Sequence, residues 1–288
     1  MMHSSFLSHA KGRYFWVALA LSAFSIFVYV MDDPTEPPNG GTWLGYALGT
    51  IGAVLIVWLA YLGKRKRNFV RGWGTVKGWV SAHVYLGASL LVVATLHTGF
   101  QFAWNIHTFA YALMCLVILS GFFGIFVYRT YPAAQNELKK NQTIDDTFTQ
   151  VEDFEAQLIR LAADASSGTK ALVSSAIERT VIGGGYLDQL LGRDKSSLVL
   201  EGRVVPNSDQ APALDALVER LARSEGDENK ALNQIVKVFN SRKKLIGVIR
   251  KDIRMQATIQ VWLLFHVPVT FALIAALIAH IFSVFVYY

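Results

Sequence analysis

Five stretches of this chain are apolar over about the 20 residues that an α-helix needs to cross the hydrocarbon of a bilayer. They lie near Tyr14–Met31, Trp43–Leu62, Trp79–Phe102, Thr108–Tyr128 and Ile259–Val286. In lipid every backbone N–H and C=O must be paired within its own segment, so stretches of this kind become helices. A hydrophobic content of 53% in 288 residues agrees with a membrane protein that also carries a sizeable polar portion. The expected fold is therefore all-α: an integral membrane bundle of five transmembrane helices, with a mainly helical insert between helices 4 and 5. In domain terms, 1–130 holds helices 1–4, 131–256 is the insert, and 257–288 is the fifth helix, which completes the bundle. The first apolar run is longer than a cleavable signal and has no clear small-x-small site before DDPTEPP. It is expected to be retained as a helix.

Charge supplies an orientation. Of 27 Lys and Arg and 21 Asp and Glu, nine and three lie outside 131–256, which leaves that segment balanced at 18 of each. The nine cations stand before span 1, between spans 2 and 3, or just after span 4; the three acids, Asp32, Asp33 and Glu36, stand between spans 1 and 2. The positive-inside rule then puts the N-terminus and the insert in the cytoplasm and the C-terminus outside, in the periplasm of a bacterial inner membrane. KRKR at 64–67 reads as this topology signal and not as a nucleic-acid patch, so no nucleic-acid partner is expected.

Within the insert, Thr143 can cap a helix over TIDDTFTQVEDFEAQLIRLAAD, with Asp145 and Asp146 at its positive end. A second helix is expected over 211–224. Apolar residues at helical spacing from Ile235 to Ile253 predict one long helix that continues into span 5. The stretch 168–205 is less decided, with GGG at 183–185 and a β-branched LVLEGRVV run. The consecutive glycines do not form a dinucleotide fingerprint and suit a turn. No P-loop, His or Cys occurs in the insert, which reads as a platform for docking or assembly.

Four histidines sit in the apolar spans. HVYLGASLLVVATLH runs from His83 to His97, and HVPVTFALIAALIAH from His266 to His280. A helix rises about 1.5 Å and turns about 100° per residue, so each pair is roughly 21 Å apart and within some 40° of one face. Spans 3 and 5 run in the same direction. Side by side, they set His83 opposite His266 and His97 opposite His280. Each facing pair can clamp a flat metalloporphyrin between two imidazoles. A lone intramembrane histidine can serve merely as an interhelical hydrogen bond or in a proton path. The repeated spacing on two parallel helices, with no acidic residue in any span, favours paired ligation. A dimetal centre is disfavoured: the histidines of one helix are too far apart, and the carboxylates such bundles use are missing. Cys115 stands alone, which excludes an intrachain disulfide, a CxxCH haem attachment and a Cys-ligated iron–sulfur cluster in this chain.

The two H-x13-H helices resemble those of the membrane di-haem b-type cytochromes, among them cytochrome b of the quinol:cytochrome c reductases and related respiratory subunits. The resemblance covers the ligand helices and the general bundle. It departs in helix count and in the long insert, and no PEWY-type quinol motif is present. It implies two haem b, with His83, His97, His266 and His280 as ligands to iron, and transmembrane electron transfer.

Other residues are candidates for support. Gly87, Gly49 and Gly121, with Gly45, Gly52 and Gly124, could give a porphyrin room between helices or simply let helices pack closely. Arg71, Lys77 and Arg129 could meet the propionates of the inner haem. Gln101, Asn105 and His107 could do so at the outer one. His107 could instead accept a quinol proton or cap span 4. Pro268 removes a backbone donor two residues after His266 and is placed to kink span 5. Trp16, Trp43, Trp79, Trp104, Tyr287 and Tyr288 suit the membrane interfaces.

The function expected from these residues is a di-haem b membrane cytochrome that carries electrons across the bilayer between the quinone pool and a partner redox protein. That partner is an iron–sulfur protein, a flavoprotein or a multihaem cytochrome c, in a complex or oligomer; quinone or quinol is the mobile reactant. The alternatives are a stand-alone transmembrane ferric or metal reductase, and a non-redox membrane scaffold.

Overall fold

The computed structural model describes residues 6–35, 37–67, 74–139 and 143–286; the side chains of 6, 8, 67 and 128–139 are outside that description. The fold is mostly helical, about four-fifths by residue. Among the described residues, five helices are long and apolar enough to cross a membrane: His9–Met31, Trp43–Lys66, Val76–Thr98, Ile106–Val127 and Gly226–Val286. The chain forms two compact units, Met1–Phe126 with Trp262–Tyr288, and Val127–Val261.

The first unit contains α1 (Arg13–Met31), α2 (Trp43–Ala60), the short α3 (Leu62–Arg67), α4 (Val76–Thr98), the start of α5 (Ile106–Lys139) and the end of α10 (Gly226–Val286). Short polar side chains set the helix starts. Thr42 Oγ1 accepts from Gly45 N and Thr75 Oγ1 from Gly78 N, both at 3.1 Å. Asn105 Oδ1 accepts from Thr108 N at 3.0 Å. Each satisfies an amide that the first turn leaves without a helical partner. Gly99 ends α4 at φ +58, a conformation open to glycine at no steric penalty.

Two apolar clusters hold this unit together. Leu44 and Leu48 of α2 meet Val93 and Leu96 of α4. Ile56 and Leu59, Leu90, Met114 and Leu273 join α2, α4, α5 and α10. The backbone of α4 packs closely on α1 and α2. Outward faces stay apolar: Phe24, Phe27, Leu119, Phe126 and Phe271 are exposed, which suits lipid and not water. Pro268 lies inside α10 without ending it.

The second unit contains α6 (Ile144–Ala163), α7 (Ser167–Glu178), α8 (Tyr186–Leu191), α9 (Ala211–Arg223) and the polar part of α10. Thr143 and Asp146 form a reciprocal capping box at the start of α6. The undecided stretch resolves into α7, α8 and a two-stranded antiparallel hairpin, β1 (Ser197–Leu200) and β2 (Arg203–Pro206). The apolar LVL and RVV runs pair across a two-residue turn, Glu201–Gly202, both at positive φ. Gly183 and Gly184 adopt φ +95 and +111 in the linker before α8.

Leu158, Leu172, Leu198, Leu217, Ile235 and Phe239 form the core of this unit. Beside it, Arg242 is fully buried. Its guanidinium donates to Glu155 Oε1 at 2.7 and 2.9 Å, to Gln210 Oε1 at 3.1 Å and to Thr180 Oγ1 at 3.1 Å. Burial pushes Arg242 below the ordinary guanidinium range, and the Glu155 carboxylate opposes that shift.

Candidate functional site

Each of the four span histidines has its Nδ1 engaged. His83 Nδ1 donates to the Leu59 carbonyl at 3.1 Å, and His97 Nδ1 to the Gly45 carbonyl at 2.7 Å. A carbonyl oxygen only accepts, so in the neutral rings the proton is on Nδ1 and the lone pair on Nε2. His266 reaches the same state by another route. Ser120 Oγ gives its single hydrogen to the Val117 carbonyl at 2.7 Å. It must then accept from His266 Nδ1, at 2.7 Å. His280 Nδ1 meets His107 Nδ1 at 2.6 Å, so one of that pair donates to the other. Nε2 of His83, His97, His266 and His280 makes no hydrogen bond among the described residues. A ring pinned through Nδ1 with Nε2 open is the arrangement that orients a metal-ligating histidine.

At the outer level the rings of His97 and His280 lie 6.0 Å apart, centroid to centroid, nearly perpendicular at 83°. Two imidazoles bound to one metal ion at about 2 Å each place their centroids roughly 6 Å apart, so the pair is at ligating range. Both rings line a cavity of about 620 Å³, together with Gly49, Tyr46, Gln101, Tyr111 and His107. That volume is in the range of cofactor pockets, about 300–1,000 Å³. At the inner level, His83 is within electrostatic range of His266, and both are within range of Lys66. Trp262 lies over His266 at 5.2 Å and donates from Nε1 to the Ser120 carbonyl at 2.8 Å. Among the described residues, no group of three or more His, Cys, Asp or Glu is placed to hold a bare metal ion. His97 and His280 are the two of the four span histidines that line the outer cavity.

The glycines divide by what they make room for. A Cβ at Gly49 would meet His97 Cε1 at 2.7 Å and Nδ1 at 2.8 Å, so this glycine accommodates the histidine ring itself. A Cβ at Gly40, on the loop before α2, would meet Cε1 of the same ring at 3.1 Å. Gly124 accommodates Trp262, and Gly45 the backbone of Asn39 and Gly40. A Cβ at Gly121 would be in ordinary contact with His266 Cε1, at 3.9 Å, and one at Gly87 would meet open space.

The remaining candidates fall as follows. His107 is exposed and set against His280, with ring centroids 4.6 Å apart. Asn105 lines the outer cavity but commits Oδ1 to capping α5. Gln101 also lines it and ties Nε2 to the Pro38 carbonyl at 2.9 Å. Lys77 is half-buried in the first turn of α4. Arg71, Tyr287 and Tyr288 lie outside the described residues, as does the side chain of Arg129. Ser120 and the carbonyls of Leu59 and Gly45 had no sequence signal. They reach the histidines from 24 to 146 residues away, through packing alone.

No family model, curated protein or solved structure matches the chain.

Proposed function

We propose that this chain is a di-haem b membrane cytochrome that transfers electrons across the bilayer between the quinone pool and a partner redox protein. The observation that carries this reading is the outer pair. His97 and His280 stand at ligating range beside a cavity of cofactor size, and His97 is held by the Gly45 carbonyl with Nε2 open. His83 and His266, with their own Nδ1 partners, form the inner pair of the same scheme. Haem b, when bound, supplies a one-electron carrier whose potential follows its axial ligands and surroundings.

The chain's own residues would do the rest. Leu59, Gly45 and Ser120 fix three ring orientations and raise the basicity of the ligating nitrogens. Lys66 gives the inner level a positive field, which favours an electron there. The apolar spans keep water from both levels. The positive-inside rule supports an orientation with the N-terminus and the 131–256 segment in the cytoplasm and the C-terminus outside, which in this proposal is the periplasm of a bacterial inner membrane. The test is reduction of the protein in proteoliposomes, followed at the b-type α-band. A quinol analogue should reduce it, and a reduced iron–sulfur protein, flavoprotein or multihaem cytochrome should exchange electrons with it. A protein inert to quinol but rapidly oxidised by a ferric chelate is instead a stand-alone metal reductase.

A further inference from the structure

The helix α8 carries its apolar side chains outward. Tyr186, Leu187 and Leu191 are 63%, 71% and 52% exposed. This is a fastened platform and not a frayed end. Gln189 Nε2 donates to the Gly184 carbonyl at 2.8 Å, and Arg193 N to the Asp188 carbonyl at 2.8 Å. Arg254 of α10 donates from Nε to the Leu190 carbonyl at 3.2 Å. Gly192, at φ +64, lies so near Arg254 that a Cβ would meet its Nη1 at 3.3 Å.

Arg254 precedes Ile259, where the apolar run of α10 begins, by five residues, or about 7.5 Å of helix. Helix α8 is therefore tied to the stretch of α10 that lies just before its apolar run. Its charge fits that position. Asp188, the acid of α8, is paired with Lys195 at 2.6 Å, and Asp194 is paired with Arg250 at 2.6 Å. Arg193, Lys251 and Arg254 are exposed, Arg193 within electrostatic range of Asp188. Apolar and aromatic side chains beside such cations match the boundary between acyl chains and anionic headgroups.

We infer that α8 is a membrane-surface anchor for the 127–261 unit. Tyr186, Leu187 and Leu191 enter the headgroup–acyl boundary, and Arg193, Lys251 and Arg254 engage the phosphates of anionic lipids. The inference rests on α10 crossing the bilayer, and the experiment separates the two. In the full chain with Cys115→Ala, a solvatochromic label is placed at Leu187→Cys, and in parallel at Leu191→Cys, Phe271→Cys and Glu219→Cys. Each protein is reconstituted in nanodiscs containing anionic lipid with brominated acyl chains. Labels at 187 and 191 should be blue-shifted and quenched by the lipid to within about twofold of the label at 271, as expected of a group buried just inside the interface. The label at 219 should stay unquenched. Lipid quenching at 271 with none at 187 or 191 overturns the anchor. Shielding of 187 from an aqueous quencher without lipid quenching also overturns it, and assigns the patch to a protein partner. Absence of lipid quenching at 271 removes the transmembrane reading of α10, and the anchor with it.

Discussion

Gly49→Ala isolates the outer site. A Cβ at Gly49 would meet His97 Cε1 at 2.7 Å and Nδ1 at 2.8 Å, so the ring must move. Relaxing that contact to about 3.5 Å, the near edge of favourable carbon contact, displaces the ring by roughly 0.8 Å. Gly45 and Gly49 both belong to α2. Movement away from one therefore carries Nδ1 away from the carbonyl of the other. The bond of 2.7 Å to Gly45 would stretch beyond useful hydrogen bonding. Loss of such a bond in a buried setting costs about 1–3 kcal/mol. In affinity for what the ring ligates, that is roughly 5- to 150-fold. The assay is haem transfer from the solubilised full chain to excess apomyoglobin. The wild type should release both haems slowly. Gly49→Ala should release one of its two faster by that factor and hold the other. Gly121→Ala, with 3.9 Å to His266, should match the wild type. Release of both haems from Gly49→Ala at the wild-type rate, or equal loss of both, would refute the reasoning.

Three further outcomes are expected. His107→Ala removes the partner of His280 Nδ1 and should shift the midpoint potential of one haem only, read by redox titration, with His107→Asn restoring part of the shift. Glu155→Ala leaves the Arg242 guanidinium buried without its carboxylate and should destabilise the 127–261 unit by about 3 kcal/mol or more, seen as faster amide exchange in α6 and the polar part of α10. The Thr143 amide and hydroxyl hold the Asp146 carboxyl below the usual carboxylate range. A group depressed in the folded state stabilises it above its unfolded pKa, and that contribution is lost as pH falls through the folded value. Amide protection of the first turn of α6 should therefore decline on acidification below the normal carboxylate range, and Asp146→Asn should abolish that dependence.

The spans were legible because lipid leaves the backbone no other solution, and the Thr143 cap because its partners are three residues away. The hairpin at 197–206 was not, since four-residue runs are too short for a periodicity that separates strand from buried helix. The histidines could be found from spacing on single helices. What pins each ring could not: Leu59, Gly45 and Ser120 belong to other helices, and their contribution is a carbonyl or a hydroxyl that any sequence contains. The glycines illustrate the same limit. Gly49 and Gly87 look alike in sequence, yet one faces the His97 ring and the other open space. Asn105, read from the sequence as a candidate propionate contact, caps α5 with its Oδ1.

The most direct test is the haem content of the purified full chain, by reduced-minus-oxidised spectrum and pyridine haemochromogen, in the wild type and in His97→Ala. Two b-type haems per chain, falling to one in the variant with the helical fold retained, are predicted. No b-type band in the wild type, one haem per chain, or an unchanged count in His97→Ala would contradict the assignment of the histidine pairs.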